Sequence, residues 1–324
     1  MARVTEHRIQ QLLGDRTRLN EIDPRLLTRD FGRPVWLLKF PVRLTRTTAY
    51  EVTYEAWRHT VGRAARVDRP VLMYGMPHSG TTVSMELTAR HPDLANFSEA
   101  NPVLQAHDYF NYADGDYVRT AADATPEEVR RLRQRFAFHA WLHRRPRLLN
   151  KSPHNMVRLD FLREVFPDAC FVHIIRDGRA VVQSLIWGHA SADEATDRFK
   201  PWRQREDPFP GVKPPRWREL LRDNPLEQHA LQWRDALTYA LELEERLKLP
   251  VQHVRYETLC QDPRGTLEAL FRFADLRVSP SILARLPERL ENRNDKWRTR
   301  FSAAEADLIT QIQEPVLRRL GYAP

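Results

Sequence analysis

Two short segments of the 324-residue chain carry residue types at spacings that could do chemistry. In Gly75-Met76-Pro77-His78-Ser79-Gly80-Thr81-Thr82 two glycines stand at the G-x-x-x-x-G spacing of a phosphate-binding loop, with Thr82 closing it. Glycines let the backbone curl so that several N–H groups and a helix N-terminus face one anion. The residue after Gly80 is Thr81, where a nucleoside-triphosphate site places Lys, so the clamp on the β- and γ-phosphates is missing. No apolar strand ends in an Asp placed to hold magnesium. The loop therefore reads as a cradle for a phosphate or sulfate that needs no metal, and its plainer alternative is a glycine turn that binds nothing. The second segment is Arg176-Asp177-Gly178-Arg179. Arginine suits bidentate contact with an oxyanion, although Arg176 could instead pair with Asp177 or cap a helix.

Both segments need strands to place them. Val71-Leu72-Met73-Tyr74 reads as a buried strand closed by Gly75, and helical spacing follows from Thr82 to Arg90, where His91-Pro92 stops it. Cys170 to Ile175 is the clearest buried strand, running directly into Arg176 and a helix through Ile186. Arg147-Leu148-Leu149 and Val251 to Arg255 are further strands. Helices are predicted over 50–67, from the Thr125 cap and Pro126 to His143, over 155–165 and over 226–247, with mostly helix after the last strand. Strands alternating with helices imply a parallel sheet, whose ligands bind at the carboxyl ends of the strands. Both sharp turns, at Gly75 and Arg176, fall on that edge. The fold class expected is α/β: a single P-loop-like domain over 1–324 with a central parallel sheet of about five strands flanked by helices. Residues 1–68 form a helical extension in this reading and 276–324 a C-terminal helical segment. Residues 188–225, with Pro201, Pro208, Pro210, Pro214 and Pro215 and with Trp187, Trp202 and Trp217 nearby, read as a lid or binding loop.

Composition narrows the rest. With 42% hydrophobic residues and only 11 glycines the chain can bury a substantial core, which excludes disordered and collagen-like classes. Two cysteines, Cys170 and Cys260, make no disulfide framework or zinc spacing. No signal-peptide stretch occurs in Met1 to Leu13, and no run reaches the ~18 apolar residues of a membrane span. The expectation is a soluble, cytoplasmic protein. The net charge of +8 is nearly all arginine, since six of the 51 cations are Lys. Such a balance fits nucleic acid, an anionic surface, a small polyanion, or simply a solvated basic face. The run Arg130 to Arg135 reads as the wet face of a helix, offset by Glu127 and Glu128. His139 and His143 have a zinc-compatible spacing but lack a third ligand.

Taken together, the motifs resemble the sulfotransferases that use 3′-phosphoadenosine 5′-phosphosulfate (PAPS), and in particular the bacterial group related to tyrosylprotein sulfotransferases. Pro77-His78-Ser79-Gly80-Thr81-Thr82 is similar to the family's 5′-phosphosulfate loop, and Ile174 to Arg179 with Ser184 is similar to its 3′-phosphate motif. Asn150-Lys151-Ser152-Pro153 and Arg255-Tyr256-Glu257-Thr258-Leu259 also match, so the resemblance covers about Pro70 to Asp275.

The resemblance implies a role for each residue. Glu99, a few residues beyond His91-Pro92-Asp93, matches the family's catalytic base. Lys151 matches the Lys that stabilises the leaving phosphate. Main-chain N–H groups from Ser79 to Thr82, with the Thr81 and Thr82 hydroxyls, would hold the 5′-phosphosulfate. Arg176 and Ser184 would bind the 3′-phosphate and Tyr256 the adenine. Among Arg293, Lys296, Trp297 and Arg298 the cation that closes over the nucleotide stays open, with Lys296 and Trp297 taken as the pair. The chain departs from the family at His78, where Lys or Arg is usual. An imidazolium could replace that charge, with activity falling as it loses its proton. The expected partner is a small-molecule, lipid or carbohydrate hydroxyl, its pocket shaped by 101–117 and 187–217, without metal, nucleic acid or an integral membrane segment. A metal-dependent phosphotransferase and a basic nucleic-acid-binding protein are the rival functions.

Overall fold

The computed structural model describes residues 49–50, 52–63, 65–98, 117–187 and 207–323. Five short strands form one sheet: β1 (Val71–Tyr74), β2 (Leu94–Asn96), β3 (Arg147–Lys151), β4 (Cys170–Ile175) and β5 (Val251–Arg255). Every pairing is parallel and the order is β2-β3-β1-β4-β5. Strands buried on both faces can be apolar throughout, which is why β1 and β4 announce themselves in the sequence. Their side chains still alternate. Leu72, Tyr74, Leu148, Phe171 and Ile175 enter one core, and Val71, Met73, Leu149, Val172 and Ile174 the other.

The first core is closed by α2 (Pro126–Leu142), α3 (Leu159–Val165) and α5 (Pro225–Leu247), the second by α1 (Thr81–Thr88), α7 (Pro263–Phe273) and α8 (Pro280–Leu283). Around them lie α4 (Gly178–Trp187), α6 (Tyr256–Gln261), α9 (Lys296–Arg300) and α10 (Ala303–Arg319), the last packed along α5. Thr125 caps α2 by accepting from the Glu128 N–H, and Asn224 caps α5 through the Leu226 N–H.

Several boundaries differ from the sequence expectation. The helix predicted over 155–165 is a 3-10 turn, Pro153–Val157, followed by α3. The break falls at Arg158 (φ −133°), a buried arginine whose Nε donates to the Tyr117 carbonyl. The helix expected over 50–67 stops at His59, with a 3-10 turn Val61–Arg63 after it. β2, in the short segment before Glu99 that could end a strand, has three residues, too few for a pattern of its own, and its pairing with β3 is what makes it one. No helix among the described residues is long and apolar enough to cross a membrane. Both cysteines are free thiols.

The chain enters the sheet at β1, builds β2 and β3 to one side, then crosses to β4 and β5 on the other. The crevice of such a sheet opens where the direction reverses, between the carboxyl ends of β1 and β4.

Candidate active site

At that crevice β1 gives way to Gly75, where a Cβ would stand 2.4 Å from the Ile174 carbonyl of β4. Only glycine lets the two strand ends approach this closely. The chain then turns tightly. The Ser79 N–H and Oγ both donate to the Met76 carbonyl, at 3.1 and 2.6 Å, and His78 adopts a left-handed φ of +67°. Gly80, at φ +90°, is the N-cap of α1 and supplies no side-chain cap. The N–H groups of Gly80, Thr81 and Thr82 have no partner within the helix. Ser79, by contrast, spends its N–H and hydroxyl inside the turn, so the cradle is one residue shorter than the sequence implied.

Opposite, Arg176 follows β4 directly and is 6% exposed. Its Nη1 donates to the His78 carbonyl (2.8 Å), its Nη2 to the Arg293 carbonyl (2.9 Å) and its Nε to Asn294 Oδ1 (3.2 Å). The guanidinium lies 4.3 Å from the centre of the Tyr256 ring. Asp177 is not its partner. That carboxylate pairs with Arg179, Oδ2 to Nη2 at 2.8 Å. Among the described residues Arg176 therefore has no ion pair, and two of its five N–H donors remain unspent. Burial pushes its pKa down, with Tyr256 and nearby acids opposing, but a guanidinium stays charged at any working pH.

These two walls enclose a cleft of about 580 Å³. Pro77, His78, Gly80, Thr81 and Thr82 line it from the loop, and Lys151 from the end of β3. Arg176, Ser184 and Tyr256 line it as well, whereas Ser79 does not. Ser184, two turns into α4, meets His78: its Oγ lies 2.9 Å from Nδ1. Tyr256 does more than line. Its ring supports Arg176 and presses on Gly80, where an added Cβ would come within 2.5 Å of Cδ2. Burial, then the hydrogen bond with Cys260, raises its pKa.

Two predicted residues are elsewhere. Trp297 is buried in a core with Ala180, Val182 and Ile186, its ring 4.6 Å from the Arg179 guanidinium. Lys296 is exposed beside it, and neither lines the cleft. The loop before α9 supplies Glu291 and Arg293 instead, and its buried Asn294 bonds Arg176. Arg293 stood among four candidate cations, whereas nothing in the sequence distinguishes Glu291 or Asn294. Glu99 lies outside the described residues, as do 101–116 and 188–206. From Asp207 onward the expected lid is packed, with Phe209, Val212 and Trp217 buried and Lys213 paired to Asp207 at 3.1 Å. His154, close to Lys151 in the chain, is pushed to about 3 by burial first and then by Arg158 and Lys213, so it is a neutral imidazole at pH 7.

A second polar cluster is built from three paired strands. Tyr74, His173 and His253 stand side by side across β1, β4 and β5, and Glu244 of α5 caps them. The carboxylate accepts from Tyr74 Oη (2.9 Å), His173 Nδ1 (2.7 Å) and His253 Nε2 (2.7 Å). Burial raises the Glu244 pKa, but the bonds from His173 and His253 outweigh it and hold it at about 2. A metal-ligating imidazole donates from its other nitrogen, and His173 Nε2 has no acceptor among the described residues. Glu244 braces the three strands against α5. His139, of the zinc-spaced pair, bonds to the Asn96 carbonyl at 3.0 Å and stacks on Phe97.

The sequence profile of the Sulfotransferase family matches residues 70–280. The chain belongs to the sulfotransferase family. Protein-tyrosine sulfotransferase A of Caenorhabditis elegans is 30% identical over 123 residues, 36% of this chain and 32% of that protein. The omega-hydroxy-beta-dihydromenaquinone-9 sulfotransferase of Mycobacterium bovis is 26% identical over 253 residues, 74% of this chain and 60% of that one. The match thus spans about a third of the worm protein's length. The sulfotransferase STF9 of Mycobacterium avium shares the fold, at TM-score 0.50 and 16% identity, over 87% of this chain and 86% of its own. The family match takes in the sulfotransferase loop, Lys151, Arg176, Ser184 and Tyr256. It ends before Glu291, Arg293 and Asn294.

Proposed function

We propose that this sulfotransferase moves a sulfuryl group from PAPS to the hydroxyl of a small-molecule, lipid or carbohydrate acceptor, in the cytoplasm and without a metal. The observation that carries the reading is Arg176. A buried guanidinium with no acid partner among the described residues and two spare donors faces a helix N-terminus across one cleft, which suits a ligand with two separated anionic groups. The Gly80–Thr82 N–H groups and the two Thr hydroxyls take the 5′-phosphosulfate, and Arg176 with Ser184 takes the 3′-phosphate. Thr81, in the place of a triphosphate-clamping Lys, disfavours a kinase.

In the reaction the acceptor oxygen attacks sulfur as the bond from sulfur to the bridging phosphate oxygen breaks, and 3′-phosphoadenosine 5′-phosphate leaves. Glu99 accepts the acceptor's proton. Lys151, 2% exposed at the end of β3, stabilises the charge arriving on the leaving oxygen. His78 stands where it can face the sulfonate, oriented by Ser184. Tyr256 holds Arg176 and the loop together. The names of the two curated relatives, a tyrosine and an omega-hydroxy-menaquinone sulfotransferase, are in keeping with a hydroxyl acceptor. Residues 188–225 are the segment we assign to covering it.

An acceptor screen with PAPS, comparing the native chain with Glu99→Gln, tests this. Sulfated product from the native chain, lost in the variant while 3′-phosphoadenosine 5′-phosphate still binds, is expected. Magnesium-dependent ATP turnover, or tight nucleic-acid binding with a steep salt slope, would replace the reading.

A further inference from the structure

Glu291 is the one carboxylate among the described residues lining a cleft that also presents Lys151, Arg176 and Arg293. Its Oε2 lies 2.7 Å from Nη2 of Arg293, and the two side chains are 63% and 60% exposed. The backbone beneath them is fixed. The Arg293 carbonyl accepts from Arg176 (2.9 Å), the Arg293 N–H donates to Tyr256 Oη (3.4 Å), and the Glu291 carbonyl accepts from that hydroxyl (3.4 Å). Asn294, bonded to Arg176 Nε, continues the same anchor. The chain thus pins the Cα of Arg293 to the buried guanidinium while leaving its own guanidinium exposed, held by a single carboxylate.

An exposed ion pair of this kind is weak. A phosphate dianion accepting from two guanidinium donors is stronger and more directional. Resting on the assignment of the cleft to a 3′-phosphorylated nucleotide, we propose that Arg293 exchanges partners. In the free protein it pairs with Glu291. When the 3′-phosphate docks on Arg176, Arg293 releases Glu291 and closes on the phosphate, and the carboxylate is left to water. Glu291 competes with the ligand for one arginine and so sets how tightly the nucleotide, and the product nucleotide above all, is held. Both residues lie beyond the segment shared with the family profile.

The test is a double-mutant cycle by calorimetry, with adenosine 3′,5′-bisphosphate and adenosine 5′-monophosphate as ligands. Glu291→Gln should tighten bisphosphate binding about fivefold and Arg293→Gln should weaken it about tenfold, the scale of one exposed charge contact. The double variant should match Arg293→Gln alone, and the monophosphate should respond to neither change. Both residues are exposed, so folding is not at stake. Unchanged or weaker binding in Glu291→Gln, or tightening that persists without Arg293, overturns the exchange while leaving the nucleotide assignment standing. A native chain that does not bind the bisphosphate overturns both.

Discussion

Two of the buried charges, Glu244 and Arg176, are equally exposed at 6% and are treated in opposite ways. Glu244 is an anion surrounded by donors, with Tyr74, His173 and His253 all turned to it. The cluster fastens β1, β4, β5 and α5 to one another. Arg176 is a cation that pairs with no carboxylate among the described residues. It gives three donors to the His78 and Arg293 carbonyls and Asn294, and keeps two for the cleft. A buried charge that is fully answered belongs to the fold. One that is answered only by carbonyls, at the edge of a cavity, is the one we propose as a ligand contact.

Four substitutions break or sharpen that contrast. The largest effect is expected at Arg176. Removing it as Arg176→Gln should weaken nucleotide binding roughly a hundredfold, since hydrogen bonds to a charged group contribute about 1.5–3 kcal/mol each; calorimetry reads this. Next is Glu244. Its folded pKa of about 2 is below the ordinary 4.5, so its contribution is present above pH 4.5 and lost as pH falls toward 2. That is on the order of 3 kcal/mol. Denaturant melts from pH 7 to 2 should show the native chain losing this stability and Glu244→Gln lacking it from the start, with nucleotide affinity at pH 7 little changed.

Gly80→Ala should be milder. Its Cβ at φ +90° meets the Tyr256 ring, costing about 1–2 kcal/mol of stability in strain, and because that ring supports Arg176, affinity should fall with it. The smallest effect is at His78. Turnover of the native chain should decline across the pH range in which an imidazole loses its proton. His78→Arg should hold turnover flat there, and an unaltered profile would remove His78 from the sulfonate.

The Arg176 side of this contrast was legible in the sequence, for local reasons. The loop from Gly75 to Thr82 is a strand, a glycine turn and a helix start in succession, so its chemistry and its position come from the same eight residues. Arg176 and Ser184 could be paired because eight positions is about two helical turns. What could not be read depends on packing between distant segments. Arg176 has Asp177 as its neighbour in sequence, yet Asp177 faces Arg179 because α4 turns it away. Trp297 sits among cations in the chain, which suggested a cover for the nucleotide, whereas α4 draws its ring into a core. β2 exists as a strand only by pairing with β3. The Glu244 cluster joins residues from four elements, and no spacing within the sequence signals it.

The central claim is that Arg176 makes this cleft a site for a doubly anionic nucleotide. Its most direct test is the ratio of affinities for adenosine 3′,5′-bisphosphate and adenosine 5′-monophosphate, measured in the native chain and in Arg176→Gln. The native chain should prefer the bisphosphate by about two orders of magnitude, the worth of two charge-assisted hydrogen bonds, and the variant should lose that preference while still binding the monophosphate. Equal affinity for the two ligands in the native chain, or a preference that survives the loss of Arg176, would contradict it.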